Sequence, residues 1–125
     1  MTARVSQSGS RRLFIFLSFV TVSAIGGQFV LAGAAVFGAA DSWGLHSGLG
    51  GAIGFVVLIM AGLSLASADL RPFRVMVLVL FAAYVVQILL VVVAQSGGLP
   101  MLGALHPLNG AVMAFIAVET IRKAW

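Results

Sequence analysis

The sequence predicts an all-α, polytopic membrane protein: four transmembrane helices built as two repeated hairpins, with both termini cytoplasmic. Three observations predict it. The 125 residues are 62% hydrophobic and only 8% charged, whereas soluble domains carry about 25% charged residues. Four apolar runs are each long enough to cross a bilayer. One stretch also occurs twice: LHSGLGGAIGF at 45–55 and LHPLNGAVMAF at 105–115. At a shift of 60, Leu45, His46, Gly50 and Phe55 fall on Leu105, His106, Gly110 and Phe115. His46 and His106 are the only histidines, and they align with each other.

Residues 1–12 read as a polar cytoplasmic segment with Arg4, Arg11 and Arg12, and 13–122 as the bundle. Ser10-Arg11-Arg12-Leu13-Phe14-Ile15 resembles a twin-arginine export signal. The apolar run that follows is much longer than a signal's ~7–15 residues, so it reads as a first transmembrane helix, 13–40. Asp41 and Ser42 offer an N-cap for helix 2, 42–66. The turn Ser67-Ala68-Asp69-Leu70-Arg71-Pro72 leads into helix 3, 72–95, with Asp69 as its cap and Pro72 in its first turn. Ser96-Gly97-Gly98-Leu99-Pro100 leads into helix 4, 100–122. Pro107 should kink that helix beside His106.

All seven Lys and Arg (Arg4, Arg11, Arg12, Arg71, Arg74, Arg122, Lys123) lie at the N-terminus, the 2–3 turn or the C-terminus. Four helices bring those three places to one side, and the positive-inside rule makes it the cytoplasm. The expected location is the inner (plasma) membrane. Glu119 is placed to pair with Lys123. Trp43 and Trp125 read as interfacial anchors. Gly26, Gly27, Gly33 and Gly38 suit close helix contacts. The positive charge sets topology and does not argue for nucleic acid. The expected partners are the lipid bilayer and a membrane-protein partner or second copy.

Counted from the outer helix ends at 1.5 Å per residue, His46 lies about 6 Å in, His106 about 9 Å and Asn109 about 14 Å. Gln28 and Gln87, which are 59 apart, lie roughly 12–18 Å in. Such residues are costly in lipid and should face one another inside the bundle. The His46 face carries Gly50 and Gly54, and the His106 face carries Asn109 and Gly110.

Two readings of this layer stand side by side. In one, His46 and His106 are the axial ligands of a single b-type haem. The carbonyls of Gln28 and Gln87 then accept the outward ring N–H. The small residues admit the porphyrin edge, and the site serves redox exchange or sensing. In the other, the histidines are hydrogen-bonding glue in a non-catalytic structural or assembly subunit. Absence of cysteine excludes disulfides and thiolate sites. Asp41, Asp69 and Glu119 are scattered over both surfaces, and no nucleophile–base set appears, so enzyme chemistry is not indicated.

The pattern GQFVLAG, LHSGLGG, VQILLV and LHPLNG, one element per helix, resembles a family of small bacterial four-helix membrane proteins of unassigned function. That resemblance implies a four-helix inner-membrane fold and leaves the activity open. The histidines near helix ends are also loosely similar to ligands in transmembrane b-type cytochromes, an analogy that does not establish function.

Overall fold

The computed structural model describes residues 8–125. Of the expected N-terminal segment, residues 1–7, with Arg4, lie outside the described residues. Among the described residues the chain is all-helical, with α1 at Gly9–Val36, α2 at Ser42–Ala66, α3 at Arg74–Ser96 and α4 at Pro100–Ala124. All four are long and apolar enough to span a membrane, the third counted together with the 3-10 segment before it.

The helix ends depart from the sequence expectation for local reasons. α1 begins four residues early because the Ser8 hydroxyl accepts from the Arg11 N–H, a side-chain N-cap. It also ends early, because Gly38 takes a left-handed φ of 116°. That lets Ala39 N–H close on the Ala34 carbonyl at 2.9 Å, a glycine C-cap. The second turn repeats the device. Gly98 has φ 62°, and Leu99 N–H reaches the Ala94 carbonyl at 3.2 Å. Gly38 therefore stops a helix and makes no close helix contact.

Asp41 stands at the start of α2, but its side chain makes no capping bond. Asp69 and Pro72 lie in a 3-10 segment, Ala68–Phe73, and α3 starts only at Arg74. Pro72 disfavours α geometry at Arg71 just before it. Pro107 leaves α4 continuous from Pro100 to Ala124.

α3 packs closest on α4 and α1 on α2, with α1–α4 and α2–α3 contacts closing a square. α2 and α4 thus stand on one diagonal. Small residues in register decide how near neighbours come. Gly27 receives the Leu49 side chain, while Gly26 and Gly33 meet nothing.

The core has two parts. One, at the end bearing the termini, is built on Phe14, Met60, Leu70, Phe73 and Val77. The rings of Phe14 and Phe73 lie 5.4 Å apart. The other, deeper part holds Ile25, Ile53, Val57, Leu80 and Met113. Ser18, Thr21, Ser64 and Thr120 are fully buried, and each returns its hydroxyl to a carbonyl of its own helix. The outer faces expose large apolar side chains such as Phe37, Phe55, Val75 and Phe115, which lipid tolerates and water would not.

Charged groups tie the helix ends at the terminal side. Arg11 donates to the Ala124 carbonyl at 3.1 Å, linking the start of α1 to the end of α4. Glu119 pairs with Arg122, not with Lys123. Arg74 donates to the carbonyls of Ser64 and Leu65 at 2.6 and 2.8 Å. These are the open acceptors at the C-terminus of α2. We expect Arg74→Ala to destabilise the detergent-purified protein by about 1 kcal/mol, read by thermal unfolding. An unchanged midpoint would show that the cap contributes nothing.

Candidate functional site

The structure brings the expected polar residues into one layer toward the end that holds the α1–α2 and α3–α4 turns. It gathers them in two groups. In the first hairpin, the Gln28 side-chain amide donates to the His46 carbonyl at 2.9 Å. The His46 Nδ1 lies 3.1 Å from the Gln28 main-chain carbonyl. A carbonyl only accepts, so Nδ1 carries the proton and Nε2 the lone pair. In the second hairpin, His106 Nδ1 lies 3.2 Å from the Gln87 main-chain carbonyl, with the same tautomer. His106 Nε2 sits 3.2 Å from the Gln87 side-chain nitrogen, which donates to it. Asn109 donates to Gln87 Oε1 at 2.6 Å and to the Ala83 carbonyl at 2.8 Å.

The carbonyls at the ring N–H groups are those of the Gln28 and Gln87 main chain. The main chain accepts, and the side chains do other work.

The two rings meet across the diagonal, with centroids 6.1 Å apart and planes inclined at 56°. The Trp43 ring stands edge-on to His46 at 5.6 Å. Both histidines are partly buried.

The glycines of this layer admit side chains of the neighbouring helices. A Cβ on Gly50 would touch the Gln28 side-chain nitrogen at 3.4 Å. One on Gly110 would touch the Gln87 side-chain nitrogen at 3.4 Å and the Phe29 ring at 3.5 Å. One on Gly54 would overlap the ring and hydroxyl of Tyr84. The room beside the histidines is occupied by the protein's own side chains.

Tyr84 is the member the sequence reading missed. Its hydroxyl donates to the Gly50 carbonyl at 3.2 Å and joins α3 to α2. It was legible in principle: Tyr84 is the only tyrosine and lies one turn before Gln87, hence on the same face. Among the described residues no group of three or more His, Cys, Asp or Glu gathers where a metal ion could sit.

The sequence pattern of a family of unknown function (DUF6220) matches residues 28–95. The chain belongs to that family. The match begins at Gln28 and takes in His46, Gly50, Gly54, Tyr84 and Gln87, and it stops before His106 and Asn109. No curated protein and no solved structure matches the chain. With its four apolar helices, this DUF6220 member is a small membrane protein.

Proposed function

We propose that this protein is a non-catalytic structural or assembly subunit of the plasma membrane, whose polar layer locks its helices together. One observation carries the reading: in the second hairpin Gln87, His106 and Asn109 direct their polar groups to one another and to main-chain carbonyls. A polar cluster satisfied in this way holds helices where lipid gives no hydrophobic drive.

The bundle is read as two repeated hairpins. Gln28 with His46 and Gln87 with His106 make the same ring-to-main-chain contact. Gly38 and Gly98, 60 apart, end α1 and α3 with the same left-handed turn. Arg11, Arg12, Arg71, Arg74, Arg122 and Lys123 share one end, which the positive-inside rule assigns to the cytoplasm. A membrane-protein partner or second copy fits a chain that presents its whole apolar outer surface to the bilayer.

A second reading places one b-type haem between His46 and His106. The 6.1 Å ring spacing favours it, as does the lone pair left on His46 Nε2, whereas that of His106 accepts from the Gln87 side chain. Against it, a porphyrin needs a flat slot, and the glycine spaces are taken by Gln28, Gln87, Phe29 and Tyr84.

The test is made on detergent-purified protein expressed with ample haem. The locking reading expects featureless oxidised and reduced visible spectra. It also expects each of His106→Ala and Asn109→Ala to cost about 0.6 kcal/mol or more per bond lost. The double variant should cost less than the sum, since both lean on Gln87. A Soret band with sharp reduced α and β bands, lost in His46→Ala and His106→Ala, would replace locking with haem binding. Unchanged unfolding in all variants would also overturn it.

A further inference from the structure

The two halves of the polar layer differ in one respect that points to a ligand. In the second hairpin, Asn109 stands one turn beyond His106 and satisfies Gln87 Oε1. In the first hairpin, Leu49 occupies the matching position, one turn beyond His46. Leucine donates nothing. Gln28 Oε1 is accordingly buried with no hydrogen-bond partner among the described residues. His46 Nε2 likewise has no partner among them, and its Nδ1 proton is committed to the Gln28 carbonyl. The first half therefore presents two electron-pair donors, an imidazole nitrogen and an amide oxygen, where the second half is closed. Across the diagonal stands a second imidazole, its ring centroid 6.1 Å away.

That spacing has a chemical meaning. A metal ion held in line between two imidazole nitrogens needs ring centroids roughly 6.3 Å apart, for metal–nitrogen bonds of about 2.0 Å. Metal-binding histidines usually fix their other ring N–H on a carbonyl or carboxylate. Here both Nδ1 atoms are fixed in this way, each on the main chain of its own hairpin. The donor set also narrows the metal. Zinc asks for four ligands, and among the described residues no third His, Cys or carboxylate joins the pair. A bare ion, unlike a porphyrin, does not need the space that Tyr84 and the glutamines fill.

We propose that His46 and His106 bind one monovalent copper ion between their Nε2 atoms, bridging the two hairpins. Gln28 Oε1 turns its negative end toward the buried positive charge. Gln87 yields its hydrogen bond to His106 Nε2 when the ion enters. The proposal needs only the two neighbouring histidines, so it stands or falls apart from the locking reading. Locking is read from the unfolding of metal-free protein, and copper from binding.

The experiment titrates the detergent-purified chain with Cu(I), anaerobically and under reductant, against a chromophoric Cu(I) chelator. One equivalent is expected to bind, and X-ray absorption should show two short nitrogen ligands. His46→Ala and His106→Ala are each expected to weaken binding by roughly tenfold or more. Because an alanine variant may lose its fold, Gln87→Leu is the second arm. It frees His106 Nε2 and is expected to tighten copper severalfold, a change that a purely structural role has no means to produce. Binding no tighter in the native chain than in the double alanine variant would overturn the proposal, and so would four-coordinate copper. A Soret band on haem addition, lost in both alanine variants, would overturn it in favour of iron porphyrin.

Discussion

Gly54→Ala is expected to destabilise the bundle by about 1–3 kcal/mol, the usual cost of forcing extra carbon into a packed site. Gly54 is buried in α2, and a Cβ there would overlap both the ring and the hydroxyl of Tyr84. The ring is rigid, so it must pivot, and pivoting breaks its bond to the Gly50 carbonyl. Helix propensity pulls the other way, since alanine is preferred to glycine by about 1 kcal/mol. The overlap should win. In a Tyr84→Leu background the obstructing ring is gone, and the same substitution should become neutral or stabilising by up to about 1 kcal/mol. Thermal unfolding of the four proteins of this cycle reads the coupling directly. Equal effects of Gly54→Ala in both backgrounds would mean that Tyr84 does not lie on Gly54.

Leu49→Asn is expected to act in the opposite direction, stabilising the metal-free protein by about 1 kcal/mol or more. A buried acceptor without a partner costs about 1–3 kcal/mol, and Gln28 Oε1 is such an acceptor. Asparagine has nearly the shape of leucine, so the contact with Gly27 is kept in bulk. Its two N–H donors would also find the pattern that Asn109 finds, a glutamine Oε1 and a carbonyl one turn before it. In the first hairpin that second carbonyl is Ala24, which lies 59 before Ala83. Leu49→Ala is the control. It removes the packing and supplies no donor, so it should destabilise. If Asn costs as much as Ala, Gln28 Oε1 is not within reach of position 49, and the match between the two hairpins fails at this layer.

Much of the site was legible before any coordinates. Glutamine, histidine and asparagine are too polar to face lipid at their depth. Helical spacing put His106, Asn109 and Gly110 on one face, and the structure assembles them with Gln87. The detail of each bond was not legible. Whether a ring N–H meets a side-chain or a main-chain carbonyl depends on how closely two helices approach and how they are rotated. Periodicity within one helix carries neither quantity. Tyr84 escaped for a related reason. A tyrosine in an apolar run reads as core or lipid-facing until the neighbour it touches, the Gly50 carbonyl, is known.

The sequence by itself determined that there are four helices, that they are long and apolar enough to cross a membrane, and which residues are too polar for its interior. Those are properties of single segments, set by length, hydropathy and the cost of desolvation. Only the tertiary structure decided that the glycines beside the histidines are filled by Gln28, Gln87, Phe29 and Tyr84. It also decided that Gln28 Oε1 is left unpaired and that the histidine rings meet at 6.1 Å across the diagonal. Each of these is a relation between helices, fixed by packing distance and rotation, and no single helix encodes it.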